Sequence, residues 1–296
     1  MEAMKIMIGY DGSSHADAAL ADLRRAGLPR KVEAMALSVS EEWIPAPASL
    51  GGVATSFPRF ESEAEEEALK LARSAKAVLK TLFPDWQVHA EAVTGSPGNI
   101  LIWKSNEWEP DLIVVGSQGS TALGRFFFGS VSQKVLHQAN CSVRIARPSR
   151  KSPDAPVRLI VGVDGSPDSD AAVRAITTRH WPKGSEICVV CGMVVPPPMA
   201  SEQMAIEVEK WIAGEKTRTA EAAEAAVKKL RGIGLTTSSV VKEEDPKGLL
   251  CAEAESRDAD CIFVGATGMG RIEGTLIGSV SSAVAMRAHC SVEVAR

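Results

Sequence analysis

"GSQGSTALGRFFFGSVS", Gly116–Ser132, follows the run Asp111–Val115 and returns as "GATGMGRIEGTLIGSVS", Gly265–Ser281. Glycine fills strands and helices poorly, because it leaves the unfolded chain so much freedom. Its recurrence at Gly116, Gly119 and Gly129, and again at Gly265, Gly268 and Gly278, therefore marks a loop with a job. Each loop closes on Gly-Ser where a helix is expected to begin. Reading this pair of loops correctly decides the fold.

The loops belong to a larger duplication. "KIMIGYDGSSHADAAL" (Lys5–Leu20) matches "RLIVGVDGSPDSDAAV" (Arg158–Val173), and "HQANCSVRIAR" (His137–Arg147) matches "MRAHCSVEVAR" (Met286–Arg296). The offset is 153 residues early and 149 late, so the length difference falls between the motifs, in a loop or helix. A period this long is two copies of one domain rather than a solenoid. The expected domains are residues 1–148 and 157–296, joined near the polar, proline-containing "RPSRKSPDAPVR" (Arg147–Arg158).

Within each copy, short apolar runs alternate with helical patterns. Strands are expected at Met4–Tyr10, Val32–Val39, Gln87–Val93, Leu112–Gly116 and Ser142–Ala146, with helices at Ser14–Ala26, Glu61–Leu82, Pro97–Trp108 and Ser130–Gln138. The second copy repeats the order with strands near Val157–Val163, Glu186–Val194, Thr236–Val241, Cys261–Gly265 and Val292–Ala295. Its helices are expected near Ser169–His180, Ser201–Arg231, Lys247–Arg257 and Ser279–Arg287. Such strands read as a parallel sheet covered on both faces. The expected fold class is α/β: two doubly wound, five-stranded, mainly parallel sheet sandwiches in tandem.

Composition narrows the function. At 296 residues and a formal net charge of −4, the chain does not read as a general nucleic-acid or anionic-membrane binder. No apolar stretch approaches the ~18–20 residues of a transmembrane helix, and "MEAMKIMIGYDGSS" does not read as a secretion signal. A cytoplasmic protein is expected. Cys188 and Cys191 form a CxxC, but on a strand residues three apart point to opposite faces, so two packed thiols are expected rather than a redox or metal pair. Cys251 and Cys261 also read as core, and no metal site is expected.

The chemistry gathers at the glycine loops. In doubly wound sheets, ligands settle outside the carboxyl ends of the strands where the order reverses. Gly119 and Gly129, like Gly268 and Gly278, can bring backbone N–H groups close to an anion with no Cβ between. Ser130 and Ser279 then open a helix whose dipole favours phosphate. A connecting loop with turn glycines is the alternative, weakened by the repetition.

On these residues the chain resembles a tandem universal stress protein of the ATP-binding branch. The resemblance rests on G-x2-G-x9-G-[ST], present as Gly116, Gly119, Gly129, Ser130 and as Gly265, Gly268, Gly278, Ser279. Asp-Gly-Ser after the first strand, at Asp11–Ser13 and Asp164–Ser166, completes it. It implies a Rossmann-like fold of the adenine nucleotide alpha hydrolase type. Adenosine is implied beside Asp11 and Val39 in one copy, and beside Asp164 with Gly192 or Met193 in the other. Ribose and phosphates are implied on the glycine loops, on Ser130, Val131 and Ser132, and on Ser279, Val280 and Ser281. The implied ligand is ATP, with AMP or ADP as alternatives and Mg²⁺ held through the phosphates. The implied role is a nucleotide-dependent stress regulator or sensor with an unidentified protein client. Final strands pair across dimers in the family, implying an intrachain pseudo-dimer, or a homodimer.

Catalysis finds little support. His15 aligns with Asp168, and His89, His137, His180 and His289 lack paired partners. Neither G-x-S-x-G nor G-x4-G-K-[ST] is present, so no catalytic residue is assigned and any hydrolysis should be slow. An ATP-cleaving or nucleotidyl-transferring enzyme on the same scaffold remains the alternative, although the S-G-G-x-D-S loop it would want is replaced by Tyr10-Asp-Gly-Ser-Ser14. G-x-G-x-x-G, which a dinucleotide or flavin site would want after the first strand, is absent too. Arg125 in the first loop, and Arg271 with Glu273 and Gly274 in the second, suggest that the two sites are unequal. Glu41–Phe60 reads as a lid, a docking surface or a plain crossover, with Met193–Trp211 as its counterpart.

Overall fold

Met4–Gly9, Leu112–Gly116 and Ser142–Ala146 are short, largely apolar runs, and each becomes a strand with its centre buried. The computed structural model describes residues 3–41, 58–119, 128–149, 151–195, 202–268 and 276–296. The first half contains β1 (Met4–Gly9), α1 (Ser14–Asp22), β2 (Val32–Ser40), α2 (Pro58–Leu82), β3 (Gln87–Thr94), α3 (Pro97–Trp108), β4 (Leu112–Gly116), α4 (Ser130–Gln138) and β5 (Ser142–Ala146). The second contains β6 (Arg158–Gly162), α5 (Pro167–Thr177), β7 (Glu186–Gly192), α6 (Glu202–Arg231), β8 (Thr236–Lys242), α7 (Pro246–Ser256), β9 (Cys261–Gly265), α8 (Ser279–Arg287) and β10 (Ser291–Ala295).

Boundaries shift from the sequence reading where caps decide them. The α1 helix stops at Asp22 and tightens into a 3-10 turn over Leu23–Arg25, instead of running to Ala26. The α5 helix starts at Pro167 rather than Ser169, because the Ser166 hydroxyl accepts from Ser169 N at 3.1 Å and proline suits a first turn. Among the described residues, no helix is long and apolar enough to cross a membrane.

The ten strands of the described residues form one sheet in the order β3-β2-β1-β4-β5-β10-β9-β6-β7-β8. Pairing is parallel within each half, and β5 meets β10 antiparallel at the centre. The strand order reverses between β1 and β4, and again between β6 and β9. Two switch points result.

The two faces of the sheet are filled differently. On one face a single apolar core runs across both halves, from Met35 and Leu101 through Val143 and Val292 to Leu250. On the other, the core under α1 and α2 and the core under α5 and α6 are separate clusters. Arg144, Asp22, Glu293 and Arg179, all buried, lie between them. Cys188 belongs to the shared core and Cys191 to the opposite face, as strand alternation requires.

Candidate functional site

The first switch point holds a cavity of about 670 Å³. Its floor is apolar, from Leu37, Val39, Leu71, Leu101 and Val115, and its rim is polar, from Asp11, Gln118, Gly119 and Ser130 to Ser132. Sequence reasoning names Val39 and, of the rim, Asp11, Gly119 and Ser130 to Ser132, but not Gln118. It misses the remaining floor, which comes from strand-end and helix positions that look like ordinary core until the topology gathers them.

Local turns place the rim. Gly12 adopts φ +73 after β1, a left-handed turn open to glycine at little cost. That turn lets the Asp11 carboxylate accept from Ser13 N at 3.0 Å, while the Ser13 hydroxyl caps Ala16 N at 3.1 Å. Gly165 repeats the conformation at φ +82, with Asp164 accepting from Ser166 N at 2.9 Å. Each aspartate also stands against the second loop glycine. A Cβ on Gly119 would lie 3.1 Å from Asp11 Oδ2, and one on Gly268 would lie 2.5 Å from Asp164 Oδ2.

The signature glycines turn out to have separate tasks. Gly116 packs β4 against the start of α1, where a Cβ would sit 2.9 Å from the His15 carbonyl carbon. At Gly129 the backbone N–H is engaged within the loop. That N–H is donated to Ser117 O at 2.9 Å, and Gly278 N likewise to Ala266 O at 2.7 Å. Closing the loop on itself uses those amides. What Gly129 does supply is a helix start with no side-chain cap. Helix geometry then leaves the Ser130, Val131 and Ser132 amides without an intrahelical acceptor, at the positive end of the dipole. The α8 helix begins in the same way at Gly278, before Ser279, Val280 and Ser281.

Ser132 and Ser281 brace the loops. Ser132 Oγ donates to Gly116 O at 2.6 Å and Ser281 Oγ to Gly265 O at 2.6 Å, so these hydroxyl protons are engaged with the protein.

The second switch point is built differently. Gly192 takes the register position of Val39, since β1 pairs Gly9 with Leu37 while β6 pairs Gly162 with Val190. A side chain there would meet Pro246 Cα at 2.8 Å. Met193 turns away to line a separate cavity of about 270 Å³ with Lys216 and Val241. Asp168, at the position of His15, accepts from Thr267 N at 2.9 Å and also from the Thr267 hydroxyl. Arg125, Arg271, Glu273 and Gly274 lie outside the described residues, as does most of Glu41–Phe60.

One further group was not legible from the sequence. Tyr10 donates to Asp17 Oδ1 at 2.6 Å, and burial together with Asp17 and Asp11 pushes its phenol up to about 12. Burial likewise raises the thiols: Cys141 to about 11, and Cys191 and Cys290 to about 12. Thiols held protonated in this way are poor nucleophiles.

Comparison with known proteins agrees with the fold. The model of the universal stress protein family matches residues 2–147 and again 157–296. A universal stress protein of Mycobacterium tuberculosis is 29% identical over 316 residues, covering 98% of this chain and 96% of its own length. One from Thermus aquaticus is 34% identical over 146 residues, covering 48% of this chain and 97% of its own. Among solved structures, a universal stress protein from Archaeoglobus fulgidus superposes with a TM-score of 0.63 at 19% identity, covering 99% of this chain and 96% of that one. That likeness is one of fold.

Proposed function

The chain belongs to the universal stress protein family, and from that premise we propose that it binds an adenine nucleotide at its first switch point and acts as a nucleotide-dependent regulator. One observation carries the reading. A helix start without a side-chain cap, at Gly129, faces a cavity that is polar on one side and apolar on the other. Three first-turn amides and the helix dipole suit phosphate oxygens. Leu37, Val39 and Leu101 suit a flat apolar base, and the Asp11 carboxylate suits the donor groups of a nucleoside.

ATP is the proposed ligand, with AMP and ADP as alternatives, and Mg²⁺ would be held through the phosphates. The second switch point has the same loop and helix start, and we propose it as a weaker site. Its Thr267 amide already has a carboxylate partner. Fast turnover is not expected, because the donors are amides and hydroxyls with no positioned base among the described residues. The proposed units are residues 1–148 and 157–296, working in the cytoplasm with a protein client whose choice depends on the nucleotide.

The test is direct. Protein purified without added nucleotide is denatured, the released small molecules are identified by mass spectrometry, and the ligand-free protein is titrated calorimetrically with ATP, ADP and AMP. Adenine nucleotide in the released fraction, or saturable binding, supports the reading. Absence of both overturns it.

A further inference from the structure

The seam between the halves lies on a pseudo-twofold axis, where equivalent positions of the two repeats meet. Arg144 and Glu293 are the same repeat position, 149 residues apart, and the antiparallel register of β5 and β10 sets them directly opposite. In two like halves this site would hold like charges. Here it holds opposite ones, both fully buried, with Arg144 Nη1 donating to Glu293 Oε2 at 3.1 Å.

Neighbouring positions have diverged as well, each half carrying beside its axial charge one of opposite sign. Asp22 accepts from Arg144 Nε at 2.6 Å, and its repeat counterpart is Ala175. Arg179 donates to both carboxylate oxygens of Glu293, and its counterpart is Ala26, whose carbonyl it also reaches at 2.9 Å. Burial alone would lower Arg144, but Asp22, Cys261 and Glu293 hold it well above the usual arginine value. Shape follows charge. Gly27 and His180 are equivalent positions joined by the bond from His180 N to Gly27 O at 2.9 Å, and the Trp181 ring lies 3.0 Å from where a Gly27 Cβ would stand. One half offers a hole and the other a knob.

The contacts of the two final arginines do not discriminate. Arg147 reaches Cys290 O and Ala285 O, while Arg296 reaches the equivalent Cys141 O and Leu136 O. Val143 and Ile145 face Val294 and Val292. A pair of like halves would keep all of these. The buried pair of Arg25 and Asp260, 2.9 Å apart, whose repeat counterparts are Thr178 and Asp111, adds to what the axial positions separate.

We propose that this seam is a coded interaction surface whose only fitting partner is the unlike half: first halves reject first halves by Arg144 facing Arg144, and second halves reject second halves by Glu293 facing Glu293. Repulsion in the wrong pair is what gives specificity to surfaces otherwise alike. The code closes an edge strand that would accept any copy of itself.

Thermal unfolding of the intact chain tests this with Arg144→Met, Arg144→Glu, Glu293→Met, Glu293→Arg and the double Arg144→Met/Glu293→Met. Each neutral single variant strands one buried charge and should lower Tm by roughly 6–15 °C. Each reversal should lower it further, and the double neutral variant should fall less than the sum of its singles. Reversals no worse than neutral variants at both positions overturn the proposal. If the reversals yield no folded protein, wild-type chain nicked in the linker is unfolded in urea and refolded, and its pairs are weighed by native mass spectrometry. Unlike pairs alone support the code; a statistical mixture containing like pairs overturns it.

Discussion

Ser132 donates its hydroxyl to the carbonyl of Gly116 at 2.6 Å, tying the first turn of α4 to the end of β4. The bond fixes the distance between the strand that ends the loop's first limb and the amides proposed to meet phosphate. Ser132→Ala should therefore loosen the cradle without unfolding the chain. A lost hydrogen bond of about 1 kcal/mol corresponds to roughly a five-fold weaker ATP affinity. Calorimetric titration measures it, and an unchanged Kd would show that the brace does not shape the site.

Gly119→Val places a branched side chain against Asp11, and Gly268→Val does the same against Asp164 in a still tighter space. Each variant should lose one of the two binding phases, with Gly119→Val losing the tighter. Stoichiometry by titration decides this. Two unaltered phases in both variants would remove these loops from the site.

Nicking the linker near Ser152 should leave the halves together. Arg25, itself paired with Asp260 at 2.9 Å, donates to the carbonyls of Ser152, Ala155 and Pro156, and the ten-stranded sheet does not need the covalent link to stay continuous. Size-exclusion chromatography of the cut protein should give one peak at the mass of the intact chain. Two separate half-sized species would contradict it.

Tyr10 is the chain's single tyrosine, so absorbance near 295 nm titrates it alone. Burial and the carboxylates of Asp17 and Asp11 raise it to about 12 from 10.0. A raised phenol stabilises the fold in its protonated form, so this contribution is complete below pH 10 and is lost as pH climbs towards 12. The expected midpoint is near 12, moving to about 10 after unfolding in denaturant. A midpoint near 10 in the folded protein would mean the Tyr10–Asp17 hydrogen bond is not formed in solution.

Turnover separates a sensor from an enzyme. A fast ATPase wants an oriented water, a base and cations at the transferred phosphoryl group. Steady-state hydrolysis with excess ATP and Mg²⁺ should fall well below the ~1–10³ s⁻¹ of dedicated enzymes. A rate inside that range, abolished by Ser130→Ala or Ser279→Ala, would favour the ATP-cleaving alternative.

The duplication, the alternating elements and the doubly wound class were legible in the sequence because they rest on local signals. Apolar runs at Leu112–Gly116 and Cys261–Gly265 read as strands from their neighbours alone, and Gly-Ser before α4 and α8 marked the helix starts. Spacing could not say what each glycine is for. Gly116 serves close packing on His15, and the Gly129 amide closes its own loop, because those partners come from distant parts of the chain. The difference between Val39 and Gly192 also needed strand register, which no single segment contains. The seam was the least legible feature of all. Arg144 and Glu293 each put one charge on a short strand, and only antiparallel pairing of β5 with β10 turns them into a buried pair. Local periodicity sets which elements form; which side chains meet is decided when the sheet closes and water leaves the space between its halves.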